Sequence, residues 1–174
     1  MAQAVLLLEH NLSRTDHLTG IDNSRSFYEQ AEMELKRMRR NETPLSLAYI
    51  DLDNFKQIND RLGHSEGDKF LKAFTGLVAG LTRETDVFAR LGGDEFALLL
   101  PNTDQEGARI VMQKMEKVIA DGVEVVAPPL TFSMGVVTFH SAPPSVDHML
   151  QKADEFMYES KKLGKNRVTY GLED

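Results

Sequence analysis

The segment from Leu45 to Asp51 is apolar on both parities, with Leu45, Leu47 and Tyr49 on one face and Ala48 and Ile50 on the other. This reads as a central strand, covered on both sides, and the chain has to build its layers around it. Ahead of it, Val5, Leu8 and Leu12 fall at helical spacing, so residues 1–15 read as a residual helical linker and 16–174 as the domain proper. Asp16-His17-Leu18-Thr19-Gly20 reads as a turn. Asp22-Asn23-Ser24 offers caps for a helix with Phe27, Ala31, Leu35 and Met38 on one face, ending between Asn41 and Pro44.

Beyond the central strand, Asn54 to Asp68 reads as a broken helix and a turn, and Phe70, Phe74, Leu77, Val78 and Leu81 mark an amphipathic helix. Two short strands follow, Asp86 to Leu91 and Glu95 to Leu100. Gly92-Gly93 between them signals a two-residue hairpin connection, because both positions can take a positive φ. Ala108, Val111, Met112, Met115, Val118 and Ile119 give a further helix, Leu130 to Phe139 a long strand, Val146 to Leu163 a last helix and Val168 to Tyr170 an edge strand. Paired strands with intervening helices predict an α+β fold with a mainly antiparallel central sheet flanked by helices, not a doubly wound parallel one.

Composition narrows the function. The 174 residues suit one domain, and 41% apolar content is enough for a core. With 20 Lys and Arg against 27 Asp and Glu, the formal charge is −7, which argues against a basic face for nucleic acid or an anionic membrane. The absence of cysteine excludes a disulfide scaffold, a thiolate metal site and a Cys nucleophile, and a cytoplasmic location fits. The longest apolar runs, Ala4 to Leu8 and Phe96 to Leu100, fall far short of the ~18 residues needed to span a bilayer.

The chemistry concentrates at strand ends. Asp51-Leu52-Asp53 closes the central strand with both carboxylates on one side, and Asp94-Glu95 follows the glycines. If these strands are neighbours, the acids converge and need a cation. Carboxylates suit Mg²⁺, which takes its remaining ligands from water and substrate phosphates. Each feature also has a plain structural explanation: a turn for Asp51-x-Asp53, a tight hairpin for the glycines, and caps for Asn59 and Asp68. Lys161 and Lys165 could simply complement a helix dipole, and Arg83-Glu84-Thr85-Asp86 could be an exposed salt-bridged turn.

Gly92-Gly93-Asp94-Glu95-Phe96 is the signature of the GGDEF domain, the diguanylate cyclase family, which this chain resembles from about Asp16 to Val168. The signature stands in register with Asp51 to Asp60, Gly63-His64, Gly67-Asp68, Asp16 to Gly20 and Lys161 to Asn166. The resemblance implies a fold like the palm of nucleotidyl cyclases and polymerases, of ferredoxin-like type, and condensation of two GTP into cyclic di-GMP with release of two pyrophosphates. It implies that Asp51, the Leu52 carbonyl and Asp94 hold Mg²⁺ or Mn²⁺, with Glu95 assisting at the metal or at the attacking hydroxyl. It implies guanine reading by Asn59 and Asp68, and phosphate holding by the Asn54 and Phe55 N–H groups with Lys161 and Lys165. Gly92 and Gly93 would let the nucleotide lie against the backbone.

By the same resemblance, Arg83 and Asp86 form an inhibitory site for product, and the active unit is a homodimer because each domain binds one GTP. Such domains normally follow a sensory or receiver domain, so the chain reads as an excised catalytic domain. Two departures stand out: Lys165 replaces the family's usual Arg, and Asp22-Asn23-Ser24-Arg25 is a loose version of its Asn-Arg-Arg stretch. The alternative is a catalytically silent module that binds cyclic di-GMP or GTP. A phosphohydrolase with Asp51 as nucleophile leaves Gly92 to Phe96 unexplained.

Overall fold

The structure, a computed structural model, describes residues 13–122 and 130–174; the helix expected around Val5, Leu8 and Leu12 lies outside the described residues. Its elements are β1 (Asp22–Asn23), α1 (Ser24–Asn41), β2 (Leu45–Asp53), α2 (Phe55–Leu62), α3 (His64–Ala79), β3 (Val87–Arg90), β4 (Glu95–Pro101), α4 (Gln105–Gly122), β5 (Thr131–Phe139), α5 (Val146–Lys162) and β6 (Arg167–Glu173). They form one six-stranded sheet in the order β1-β3-β4-β2-β5-β6. The pairings β2–β4, β2–β5 and β3–β4 are antiparallel, while the outer pairings β1–β3 and β5–β6 are parallel. The inner four strands, with the helices that link them, make the β-α-β-β-α-β unit of a ferredoxin-like fold.

β2 is central, and its two parities feed two cores. Ala48, Ile50 and Leu52 pack with Leu71, Phe74 and Val78 of α3 and with Met112 and Met115 of α4. Phe74 stacks on Phe132 at 4.7 Å and meets Phe96 edge-on at 5.0 Å, the offset and T-shaped geometries that aromatic rings prefer. Leu45 and Leu47 pack on the other face with Phe27, Ala31, Leu35 and Met38 of α1 and with Met149 and Ala153 of α5. There Gly135 lets α5 lie directly on β5, since a Cβ at that position would fall 2.1 Å from the Ala153 carbonyl oxygen. The N-cap of α1 is Asn23, whose side chain accepts from the Ser26 N–H.

Gly63 (φ 89) breaks the helical segment after β2 into α2 and α3, as the broken-helix reading of Asn54 to Asp68 anticipates. The connection from β3 to β4 differs from the expected one. It is a four-residue loop, Leu91 to Asp94, and neither Gly92 nor Gly93 takes a positive φ. The wider loop is closed by other bonds. The N–H groups of Leu91 and Gly92 both donate to the Glu95 carbonyl oxygen at 2.8 and 3.3 Å. The Arg90 guanidinium holds the carbonyls of Gly92 and Gly93 from outside, at 3.1 Å and 2.7 Å.

Candidate active site

Register brings the acids together. Asp51 stands directly opposite Glu95 across β2 and β4, and the Leu52 N–H donates to the Asp94 carbonyl oxygen at 3.1 Å. Asp51, Asp94 and Glu95 therefore share one end of the sheet. Lys161, in the last turn of α5, reaches in from above, with Nζ 2.7 Å from Asp51 Oδ2 and 3.8 Å from Asp53 Oδ1. The other oxygen of Asp51, Oδ1, is buried and has no hydrogen-bond partner. Burial outweighs Lys161 and, helped by the neighbouring Asp94 and Glu95 carboxylates, pushes the Asp51 carboxyl up to about 6. Lys161 is itself held in its charged form: burial pulls its pKa down, but Asp51, Asp53 and Asp94 raise it further.

Asp53 plays a different part. It is fully buried and accepts from Thr131 Oγ1 at 2.7 Å, Ser133 Oγ at 2.7 Å and the Asn166 N–H at 3.1 Å. That carboxylate ties β2 to β5 and to the turn after α5. The turn, with Lys165 and Asn166 at φ 64 and 48, delivers Lys165 to the start of α2, where its Nζ donates to Asn54 Oδ1 at 3.2 Å. Asn54 is itself left-handed (φ 64) and supplies no side-chain cap, so the first N–H groups of α2 face this corner without one. Lys165, Asn54 and Phe55 thus lie together.

Asn59 and Asp68 belong to α2 and α3, which Gly63 folds against each other. Asn59 lies against Gly67, next in sequence to Asp68; a Cβ at Gly67 would fall 1.9 Å from Asn59 Oδ1. That oxygen is buried and unpartnered, while Asp68 is exposed. Arg83 and Asp86 stand at the opposite end of the sheet. Arg83 binds Asp86 at 2.9 Å and also donates to the Pro101 carbonyl at 3.1 Å and to Thr103 Oγ1 at 3.0 Å.

Two supports were not singled out from the sequence. Arg90 holds the glycine loop and pairs with Asp16 at 3.2 Å, and Asp16 in turn accepts from the N–H and hydroxyl of Thr19. Burial works against the charged form of Asp16, yet the bonds from Thr19 and Arg90 hold its carboxyl below the usual range. The turn Asp16 to Gly20 was visible as a turn; only the fold shows that it braces the loop carrying Asp94. The second is Tyr49, whose hydroxyl donates to Glu95 Oε2 at 3.1 Å and whose phenol is kept protonated by burial and by Glu95.

A divalent cation fits this end of the sheet. The buried, unpartnered Asp51 Oδ1 beside two further carboxylates is the donor set that hard cations take. Among the described residues no three His, Asp or Glu side chains form a ready-made metal cage. Mg²⁺ needs none, because one or two carboxylates with substrate phosphates suffice.

The family model for the diguanylate cyclase GGDEF domain matches residues 13–167. The chain belongs to the GGDEF domain family. It is 36% identical over 157 residues to the diguanylate cyclase DgcP of Pseudomonas aeruginosa, covering 88% of this chain and 23% of DgcP. It is 35% identical to the cyclic di-GMP phosphodiesterase NbdA of the same organism, covering 91% of this chain and 21% of NbdA. This GGDEF domain thus spans less than a quarter of those relatives. Among solved structures, the GGDEF domain of DgcB from Caulobacter crescentus in complex with c-di-GMP superposes with a TM-score of 0.83 at 25% identity, covering 91% of this chain and 95% of that one. The α+β sheet, antiparallel at its centre and parallel at its margins, is therefore the GGDEF fold.

Proposed function

We propose that this domain is a diguanylate cyclase that condenses two GTP molecules into cyclic di-GMP. The observation that carries the reading is the unsatisfied Asp51 carboxylate facing Asp94 and Glu95 in a complete Gly92-to-Phe96 signature. Mg²⁺ or Mn²⁺ would be held by Asp51, the Leu52 carbonyl and Asp94. Bound there, the ion would neutralise charge at the α-phosphate and acidify the ribose 3′-hydroxyl.

The protein's own part is positioning. Asn59 accepts and Asp68 accepts from the edge donors of guanine, which adenine lacks. The N–H groups of Asn54 and Phe55 hold phosphate oxygens together with Lys165, and Lys161 turns from Asp51 to the phosphates once the nucleotide is seated. Gly92 and Gly93 keep the approach clear. Each 3′-oxygen attacks the α-phosphorus of the other nucleotide, the bond to the bridging oxygen breaks and pyrophosphate leaves. Glu95 stands beside the hydroxyl that loses its proton. One domain offers one nucleotide site, so the working unit is a twofold homodimer.

Product inhibition would act through Arg83 and Asp86, the guanidinium forking onto a guanine edge or phosphate. On this reading the domain works in the cytoplasm, where GTP is available, and would take its signal from a sensory or receiver domain. The reading involves neither nucleic acid nor direct membrane contact; among the described residues no helix is long and apolar enough to cross a membrane. The second reading, a silent domain that binds cyclic di-GMP or GTP, draws support from NbdA, a protein named as a phosphodiesterase, in which a similar stretch makes up 21% of the length.

Incubation of the protein with GTP and Mg²⁺ at several protein concentrations, with chromatographic separation of products, tests the proposal. Cyclic di-GMP appearing faster than linearly with protein supports the cyclase and its dimer. Tight binding of cyclic di-GMP without turnover at any concentration supports the silent module instead.

A further inference from the structure

Tyr49 is out of character with its surroundings. The other residues on its face of β2 before the acids are Ser46's neighbours Leu45 and Leu47, both buried, and a phenylalanine would fill the same space. Its cross-strand partners are Ala97 on β4 and Gly135 on β5, and α5 lies directly over Gly135. Two residues along the same face is Asp51, opposite Glu95. Glu95 is therefore the diagonal neighbour of Tyr49, a separation that an aromatic side chain spans. The phenol hydroxyl closes that diagonal with its 3.1 Å bond to Glu95 Oε2.

Glu95 has little else to hold it. It sits at the first position of β4, beside the glycine loop, and the side chain directly opposite carries like charge. Among the described residues Tyr49 is the only donor to its carboxylate. Gly92 leaves the side of Oε2 uncrowded, since a Cβ there would stand 3.4 Å away. Tyr49 and Glu95 also share the wall of a hollow of about 300 Å³ between α1 and α5, with Tyr28, Leu91, Leu150 and Asp154 around it. The pair thus borders solvent and is not sealed in the core.

We propose that Tyr49 is a positioning residue for the cyclase reaction, its hydroxyl anchoring one oxygen of Glu95 so that the other remains available to the reacting groups. The inference rests on the cyclase reading. It assigns Tyr49 no contact with GTP, so its loss touches the rate of the chemical step and leaves nucleotide binding alone.

Tyr49→Phe removes one oxygen and keeps the ring. Turnover with GTP and Mg²⁺ is expected to fall about tenfold, the usual weight of a hydrogen bond to a charged group, with KM for GTP changed less than about twofold. Calorimetric affinity for a non-reactive GTP analogue should stay at the parental value. In a Glu95→Asp background, whose shorter carboxylate is withdrawn from the phenol, Tyr49→Phe should cost nothing further. Parental turnover in Tyr49→Phe overturns the inference while the cyclase reading stands. An equal loss in both backgrounds also overturns it, because the effect is then structural. A parent protein that forms no cyclic di-GMP overturns the cyclase reading and the inference together.

Discussion

The two ends of the sheet each hold a cation–carboxylate pair, and they are finished to different degrees. At one end Lys161 meets Asp51 at 2.7 Å, but Asp51 Oδ1 is buried without a partner and the carboxyl is raised to about 6. At the other, Asp86 accepts from both the main chain and the guanidinium of Arg83, whose spare donors go to Pro101 and Thr103. The first end stores an unmet electrostatic demand, while the second satisfies itself. An end that is costly to leave as it stands is where a ligand has most to offer, because neutralising a buried acidic cluster returns free energy that a pair with its donors already in place does not lack.

The largest effect should come from emptying the unfinished end. Asp51→Ala or Asp94→Ala is expected to lower cyclic di-GMP formation by about a thousandfold or more, as removal of a preorganised charged group does, when product is followed chromatographically. Parental turnover in either variant would break the contrast. Asp53, two residues from Asp51 on the same face, is the internal control. With three donors satisfied in a fully buried setting, Asp53→Ala should cost about 3–5 kcal/mol of stability in denaturant unfolding. Asp51→Ala should cost far less.

Titration sharpens the same point. The folded-state pKa of Asp51, about 6, lies above the ordinary aspartate value of 3.8. The native state therefore binds the proton more tightly than the unfolded chain, and stability is lost as pH rises from about 4 through 6. Asp51→Asn mimics the protonated form. With a chelator present it should be more stable than the parent by about 1–3 kcal/mol at pH 7.5, the gap closing near pH 4. A gap that stays constant with pH would mean that Lys161 already meets the demand of Asp51.

The contrast also separates what could be read from the sequence from what could not. Periodicity located β2 and the buried face of α1, because Phe27, Ala31, Leu35 and Met38 obey a local rule that packing then used. The convergence of Asp51 with Asp94 and Glu95 needed only the neighbouring of two strands. Asp53 looked equal to Asp51, and what distinguishes them, donors from Thr131, Ser133 and Asn166, comes from about 80 to 113 residues away. The brace from Arg90 to Asp16 spans a separation of 74 residues and has no periodic trace. β1 is two residues long, too short to display the alternation that reveals a strand, whereas the edge strand expected at Val168 to Tyr170 is present and runs longer, Arg167–Glu173. The glycine loop was misjudged because a pair of glycines signals a tight turn only when backbone conformation is their purpose.

The smallest effect belongs to the finished end. Arg83→Ala removes a half-exposed side chain, yet Asp86 keeps the Arg83 N–H at 2.8 Å, which any residue provides. The stability change should therefore stay near 1 kcal/mol or below. Turnover at low product should match the parent, since the turn lies at the far end of β4 from Glu95. Inhibition by added cyclic di-GMP should weaken, because the Arg83 guanidinium that would fork onto the ligand is gone. An inhibition curve identical to the parent's would assign the Arg83–Asp86 pair to fold closure alone. The self-satisfied end would then be finished in function as well as in structure, and regulation by product would have to act elsewhere.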